Sequence, residues 1–114
     1  MSEIRVLEYL DPTGRSPFRR WVDNLDATAA AKVSTALYRL GQGNFSNVEG
    51  VTGGIFEYRI DFGPGYRIYF GKDGALVVIL LGGGAKKRQS RDIRTAADAL
   101  GGLQAPQAAI TRRV

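Results

Sequence analysis

The chain has 114 residues and a formal net charge of +5, with 44% hydrophobic and 24% charged residues. This length and composition are typical of one globular domain. The chain contains no cysteine and no histidine, which excludes disulfides, thiolate metal ligands and imidazole catalysis. No segment has the ~20 apolar residues that span a bilayer, and no apolar signal region follows the N-terminus. The sequence therefore predicts a cytoplasmic protein without membrane association.

The N-terminal part of the chain predicts a strand followed by two helices. Residues 4–10 alternate between apolar and polar side chains and precede a turn signal at residues 11–14, which indicates a strand. Ser16 and Asp26 are residue types that cap helix N-termini, and Pro17 suits the first helical position. Each predicted helix carries one apolar stripe at intervals of three and four residues. The stripes are Phe18, Trp21, Val22 and Leu25 in the first helix, and Ala30, Val33, Leu37 and Leu40 in the second, which Gly41 ends.

The middle of the chain predicts a loop at residues 41–54 and then a meander of three strands at residues 55–62, 66–70 and 75–81. Gly63-Pro64-Gly65 and Asp73-Gly74 are the expected turns between these strands. The third strand is apolar on both faces and should be the most buried. The three glycines at 82–84 are expected to let the chain turn off this strand. They lack the Gly-Lys-Ser/Thr ending of a phosphate loop, so no nucleotide site is predicted.

The last predicted helix begins between residues 86 and 90 and runs to Leu100, with Ile93, Ala97 and Leu100 on its apolar side and Gly101-Gly102 as its end. Residues 1–102 form the predicted domain, and residues 103–114 are expected to be a mobile C-terminal tail. The fold class is α+β, in the order β-α-α-β-β-β-α. Two N-terminal helices should pack on one face of a twisted, mainly antiparallel four-stranded sheet whose other face is partly open.

The pattern of the strands and the segment after them indicates a cationic surface. Strand side chains alternate between faces, so the side opposite the helices should carry five polar or amphipathic residues. These are Glu57, Arg59, Asp61, Arg67 and Tyr69. Residues 86–94 contain five basic residues and one acid, which favours a polyanionic partner. The same residues can also be explained without a binding function. The basic segment would then be the solvated start of a helix, and Arg59 and Arg67 would pair with Glu57 and Asp61 across the strands.

Such a surface suits RNA cleavage in which the 2′-hydroxyl attacks the neighbouring phosphate. The reaction needs a group that accepts the hydroxyl proton, cations at the developing charge and an acid for the leaving oxygen. The guanidinium fork of arginine matches phosphate oxygens. The sequence has no tight carboxylate cluster, so neither a metal nor a cofactor is predicted.

Several segments of the chain resemble the RelE/ParE toxin superfamily, and within it the HigB-like addiction module killer protein branch. Residues 58–70 read Tyr-Arg-Ile-Asp-Phe-Gly-Pro-Gly-Tyr-Arg-Ile-Tyr-Phe, and a buried strand follows. Residues 82–93 read Gly-Gly-Gly-Ala-Lys-Lys-Arg-Gln-Ser-Arg-Asp-Ile, and the stretch from Ser16 to Val22 also fits this branch. The resemblance covers roughly residues 4–100.

The resemblance implies the toxin of a type II toxin–antitoxin system, a metal-independent mRNA interferase that cuts mRNA on the ribosome and so inhibits translation. It implies an antitoxin partner with a helix-turn-helix DNA-binding part, and operator DNA bound only through the toxin–antitoxin complex. Catalytic roles carry over to Arg67 of the Gly-Tyr-Arg motif, to Arg59 on the preceding strand and to the basic residues after the last strand. The last group is Lys86, Lys87 and Arg88, and RNA contacts are expected from Tyr69, Arg91 and Arg94.

The chain also departs from this family pattern. Many RelE-type sites have a tyrosine near the last helix, where this chain has Asp92-Ile93, and the histidines of some HigB proteins are absent. The sequence therefore leaves the general acid and base open. It also leaves open a ParE-like inhibitor of DNA gyrase that performs no chemistry, and a non-enzymatic nucleic-acid-binding regulator.

Overall fold

A computed structural model of the chain describes residues 3–104 and 111–114. Within them, six strands, three α-helices and one 3₁₀ turn follow one another along the chain. They are β1 (Arg5–Tyr9), α1 (Pro17–Asp23), α2 (Ala27–Gly41), β2 (Val48–Thr52), β3 (Ile55–Ile60), β4 (Tyr66–Lys72), β5 (Val77–Ala85), the 3₁₀ turn (Lys86–Arg88), α3 (Gln89–Gln104) and β6 (Thr111–Arg113). No helix of these residues is both long and apolar enough to cross a membrane.

The described strands form one mixed sheet in the order β2-β3-β4-β5-β1-β6. The β3–β4–β5 meander is antiparallel as predicted, whereas β1 pairs with β5 in parallel, from Arg5 opposite Val77 to Glu8 opposite Leu80. The α+β class is confirmed, but the sheet has six strands in the described residues rather than four. One additional strand, β2, lies where the sequence predicts a loop, because its exposed glycine and polar residues give little strand signal.

The predicted helix starts are confirmed by their capping bonds. The Ser16 hydroxyl accepts a hydrogen bond from the Arg19 amide at 3.0 Å, and the Asp26 carboxylate accepts one from the Ala29 amide at 2.8 Å. Such caps each stabilise a helix by about 1 kcal/mol. The buried residues of α2 are Ala29, Val33, Ala36 and Leu40, and Leu37 packs against the same core, so the predicted stripe was right at Val33, Leu37 and Leu40.

The two N-terminal helices pack on one face of the sheet and enclose the larger core. Its buried residues include Phe18, Val33, Leu40, Tyr58, Ile68, Phe70, Val78 and Leu80. Each large side chain buried here stabilises the fold by about 1.5–3 kcal/mol. Gly83 faces this layer, and a Cβ at that position would fall inside the Trp21 ring. The close approach of α1 to β5 therefore depends on glycine.

The opposite face of the sheet is covered by α3, which corrects the prediction of a partly open face. Ala96 and Ala99 of α3 pack with Ile55, Tyr69 and Leu81 in a second core. The predicted apolar position Ala97 is exposed, and the helix continues through Gly101 and Gly102 to Gln104. The predicted apolar residues Ile93 and Leu100 do pack against this core, whereas Ala96 and Ala99 were not identified because alanine gives a weak apolar signal.

Two further predictions differ from the structure. Glycines 82–84 do not turn the chain off the strand but extend β5, where Gly82, Gly83 and Gly84 pair with β4. At the C-terminus, Thr111–Arg113 form β6 against β1 where a mobile tail was expected. The part of that expectation that concerns residues 105–110 lies outside the described residues.

Candidate nucleic-acid interface

A buried carboxylate, Glu57, joins three elements on the α3 side of the sheet. Glu57 is only 2% exposed. Its carboxylate accepts hydrogen bonds from Arg59 Nε at 3.1 Å and from Gln89 Nε2 at 2.8 Å, and Arg67 Nε lies 3.7 Å away. A buried charge needs such partners because desolvation otherwise disfavours it strongly. Glu57 thus connects β3 and β4 to the first turn of α3, and we call these four residues the Glu57 network.

Arg59 is the exposed arginine of this network. Its side chain is 45% exposed, and it also contacts Glu49 on β2 at 2.6 Å. The hydrogen bond to Glu57 and the charges of nearby carboxylates raise the pKa of Arg59 above its ordinary value. The structure places this guanidinium at the surface as the sequence predicts, and it also forms the carboxylate pairing that the sequence left as an alternative.

Arg67 lies elsewhere than predicted, because it is 6% exposed. It lies on the interior strand β4, opposite Arg59 of β3 on one side and Gly84 of β5 on the other, close to where the chain continues from β5 into α3. Its Nη1 donates to the Tyr66 carbonyl at 3.2 Å, and its Nε has no hydrogen bond among the described residues. The prediction that Arg67 stands on an open face is wrong, and in this conformation it cannot reach a phosphate chain.

Tyr69 is fully buried in the second core, which contradicts its predicted place on an RNA-contacting face. Its hydroxyl has no hydrogen bond among the described residues. Burial raises the pKa of Tyr69 well above its ordinary range, and the charges of Glu57 and Asp92 add to this shift. The neutral phenol is therefore a packing residue in this conformation.

Asp92 is a partly buried acid to which the sequence assigned no role. Its Oδ2 is buried without a hydrogen-bond partner in the described residues, and a Cβ on Gly84 would clash with the carboxylate. Burial raises the pKa of Asp92, while the charges of Arg88 and Arg91 act in the opposite direction. The sequence signal that could have identified Asp92 is a single acid within a basic run, shortly after the glycines of the last predicted strand. Because glycine has no side chain, a carboxylate can pack directly against the strand backbone there.

The predicted basic segment is exposed and continuous. We define the basic surface as the five cations of the 3₁₀ turn and the start of α3. They are Lys86, Lys87, Arg88, Arg91 and Arg94. Among the described residues none of them lies within 4.0 Å of a carboxylate as an ion pair. Arg91 and Arg94 of α3 are three residues apart, which places them on one side of the helix, and Lys87 precedes them in the 3₁₀ turn.

The basic surface borders the strand ends near Arg59. The Lys86 amide donates to the Gly65 carbonyl at 2.8 Å, which fixes the 3₁₀ turn beside the β3–β4 connection. Gln89 then ties the start of α3 to Glu57, the residue that also holds Arg59. These two bonds therefore bring the start of the basic segment close to the strand that carries Arg59, while Arg67 is buried in the adjacent strand.

This arrangement can bind and orient a polyanion. Guanidinium and ammonium groups neutralise phosphates, and closely spaced cations raise the local concentration of a charged ligand. Within the described residues, no group of three or more histidine, cysteine, aspartate or glutamate side chains could hold a metal ion. The exposed groups near Arg59 that can exchange protons include the carboxylates of Glu49, which lies 2.6 Å away, and Asp61. The amines of Lys86 and Lys87 are exposed at the start of the basic surface.

The fold and the site together define a small α+β protein with a mixed sheet and one strongly basic surface. Over 80 residues the chain is 44% identical to a protein of Haemophilus influenzae (strain ATCC 51907 / DSM 11121 / KW20 / Rd) described as "Uncharacterized protein". The match covers 69% of this chain and 81% of the relative. The chain therefore belongs to the same family as this H. influenzae protein. No family model matches the chain.

Proposed function

We propose that this protein is the toxin of a type II toxin–antitoxin pair and cuts mRNA on the ribosome. The observation that carries the proposal is the exposed basic surface, which begins with Lys86 beside the β3–β4 connection. The element order supports it: when the edge strands β2 and β6 are set aside, the described chain follows the β-α-α-β-β-β-α order of RelE-like toxins. We assign the chain to the RelE/ParE superfamily on this order and on the Gly-Pro-Gly-Tyr-Arg stretch.

In the proposed reaction the RNA backbone lies along Lys87, Arg91 and Arg94. Arg59 binds the non-bridging oxygens of the scissile phosphate and stabilises their developing charge. The 2′-oxygen forms a bond to phosphorus, the bond to the 5′-oxygen breaks, and a 2′,3′-cyclic phosphate and a 5′-hydroxyl result. Lys86 and Lys87 exchange the two protons with the attacking and leaving oxygens. In-line positioning of the RNA on the ribosome supplies much of the acceleration.

The structure changes the role that the resemblance implies for Arg67. This side chain supports Glu57 from below, and Glu57 in turn fixes the direction of Arg59. We therefore treat Arg67 as a positioning residue for Arg59. The proposed antitoxin opposes the toxin by binding it, and it also links the complex to operator DNA.

The test is a reconstituted translation reaction with purified protein, in which cleavage is mapped by primer extension on the mRNA. The wild-type chain should cut within codons on translating ribosomes. The variant Lys87→Glu/Arg91→Glu/Arg94→Glu should lose at least tenfold in cleavage rate, because reversed charges repel the phosphates. Lys32→Glu/Arg39→Glu on α2 is the control and should retain activity; it is compared with the double variant Lys87→Glu/Arg91→Glu, which carries the same change in net charge. Intact mRNA during undiminished translation would remove the proposal.

A ParE-like inhibitor of DNA gyrase is the second candidate. The burial of Arg67 and Tyr69 favours it, because both side chains are withdrawn from any exposed catalytic centre. It predicts inhibited supercoiling in a gyrase assay while the mRNA stays intact. A nucleic-acid-binding regulator would instead bind RNA in a salt-sensitive manner and leave both assays unaffected.

A further inference from the structure

Three buried polar atoms without a hydrogen bond lie on the side of the sheet that α3 covers. They are Arg67 Nε, Tyr69 Oη and Asp92 Oδ2, and they are the only such side-chain atoms in the described residues. Burial raises the pKa of the Tyr69 hydroxyl, and the charges of Glu57, Asp92 and Arg67 also act on it, so these groups lie close to one another. Folded proteins leave few buried polar atoms unpaired, because desolvation without a hydrogen bond is unfavourable. This cluster therefore weakens the contact between α3 and the sheet.

Arg67 and Tyr69 lie on the interior strand β4 with their side chains toward α3. They are two residues apart, so both side chains point to the same face. Arg59 of β3 lies opposite Arg67 in the strand register. A Cβ on Gly65 would lie 3.8 Å from Arg67 Nη1 and 3.5 Å from Lys86 Cβ, so the 3₁₀ turn passes beside the guanidinium. The segment that leads into α3 therefore covers a guanidinium that neighbours the exposed Arg59.

The covering segment is held to the sheet by few contacts. Among the described residues, the only side-chain hydrogen bond between α3 and the sheet runs from Gln89 Nε2 to Glu57 Oε1, at 2.8 Å. The buried apolar residues of α3 in the second core are the small Ala96 and Ala99, and two larger, partly buried residues pack beside them. Alanine buries little apolar area and so stabilises a contact only weakly. Elements held in this way can open locally while the rest of a domain stays folded.

We propose that α3 is a hinged cover and that the structure shows the closed, autoinhibited form of the protein. The hinge is the 3₁₀ turn Lys86–Arg88, because such short turns connect elements at the ends of α-helices. Its start stays on the sheet, since the Lys86 amide donates to the Gly65 carbonyl at 2.8 Å. When the first turn of α3 lifts from the sheet, water reaches the unpaired polar atoms and Arg67 becomes exposed beside Arg59.

Single-stranded RNA is the ligand that favours the open form, and this part of the inference rests on the proposed function. A ligand shifts a conformational equilibrium only if it binds one form more tightly. Both forms expose the five cations of the basic surface, whereas only the open form adds the guanidinium of Arg67. The guanidinium fork matches phosphate oxygens. The cover therefore keeps the free protein in a weakly binding state until a polyanion is present.

A disulfide between β5 and α3 tests the inference, because the natural chain has no cysteine that could interfere. A Cβ on Gly84 would lie 2.8 Å from Asp92 Cγ and 3.4 Å from Oδ1. The two Cβ atoms are thus about 4 Å apart, which suits a disulfide. Gly84→Cys/Asp92→Cys should hold the cover closed when oxidised and release it when reduced. Asp92→Cys alone, kept under the same oxidant, is the control for oxidation.

Opening is measured by the rate at which phenylglyoxal modifies Arg67, followed by mass spectrometry of the peptides. Arg67 should react at least tenfold more slowly in the oxidised double variant than in the reduced one, whereas the exposed Arg59 should react equally in both. Gln89→Ala removes the hydrogen bond to Glu57 and should speed the modification of Arg67. The oxidised form should also bind a twelve-nucleotide oligouridine about fivefold more weakly in fluorescence anisotropy, because it lacks the contact of Arg67.

Equal modification of Arg67 in the oxidised and reduced forms would overturn the hinge, and equal affinity for oligouridine would overturn the autoinhibition. If both differences are found but no form cuts mRNA during translation, the inference stands and the proposed cleavage fails. Should Gly84→Cys/Asp92→Cys not fold, Gly71→Cys/Leu100→Cys repeats the comparison near the other end of α3. There a Cβ on Gly71 would lie 3.0 Å from Leu100 Cδ1.

Discussion

Replacement of Glu57 by glutamine tests the network that fixes Arg59. The change keeps the size of the side chain and removes its charge, so the buried Arg67 loses the carboxylate beside it. Removal of one partner from a buried ion pair costs about 3–5 kcal/mol. The Arg67 Nε–Glu57 Oε2 distance of 3.7 Å exceeds a hydrogen bond. We therefore expect a loss near the lower limit, about 3 kcal/mol.

Thermal unfolding followed by circular dichroism measures this loss. The 114 residues give an unfolding entropy of about 0.24 kcal/mol per kelvin, so Glu57→Gln should lower Tm by about 12 °C. Glu49→Gln is the matched control, because Glu49 pairs with the same Arg59 but its side chain is 58% exposed. Exposed pairs contribute up to about 1 kcal/mol, which corresponds to a Tm decrease of about 4 °C or less.

Equal and small Tm changes for the two variants would refute the reasoning, because they would mean that the buried carboxylate is no more strongly coupled than the exposed one. The double variant Glu57→Gln/Arg67→Met sharpens the test. It removes the unpaired charge together with its former partner, so its loss should be smaller than the sum of the two single losses.

Three further outcomes are expected. Gly83→Ala should destabilise the fold by about 1–3 kcal/mol because its methyl group meets the Trp21 ring. Gly82→Ala is the control, since a Cβ at Gly82 meets nothing within 4 Å, and equal denaturation midpoints for the two variants would contradict this. The pKa of Asp92 is raised in the fold, so ionisation of this carboxyl favours the unfolded state. The free energy of unfolding of the wild type should therefore fall relative to that of Asp92→Asn as the pH rises from the ordinary carboxyl value of 3.8, and parallel curves of unfolding free energy against pH would count against this. Lys87→Ala should reduce the slope of log affinity for single-stranded RNA against log salt by about 0.7, as measured by fluorescence anisotropy, and an unchanged slope would remove Lys87 from the interface.

Local features of the fold were predictable from the sequence because neighbouring residues determine them. The caps Ser16 and Asp26 and the Asp73-Gly74 turn act within a few residues of themselves. The strand alternation also grouped Glu57, Arg67 and Tyr69 on one face of the sheet correctly. The apolar side of α3 was recognised at Ile93 and Leu100, but which face of the sheet this helix covers depends on tertiary packing that the sequence pattern does not determine.

The candidate site was likewise predictable only in part. The exposure of the basic segment followed from its charge, since unpaired cations remain in water. The burial of Arg67 could not be predicted from the sequence, because β3 and β4 show the same alternation of polar and apolar residues whether the polar face is open or covered. Glycines 82–84 illustrate a second limit: glycine is common in turns, but here at least two of the three admit Trp21 and Asp92 to the sheet.

The place of β1 in the sheet has a consequence for synthesis of the chain. The strand β1 lies between β5 and β6 in the sheet, so it waits for its neighbours until those later segments have left the ribosome. Pairing between such distant segments slows folding relative to local pairing. The cations of α3 are translated after β5. A fragment released before α3 would thus have neither a finished sheet nor its positive rim, and toxicity in the proposed role would require synthesis to continue past this helix.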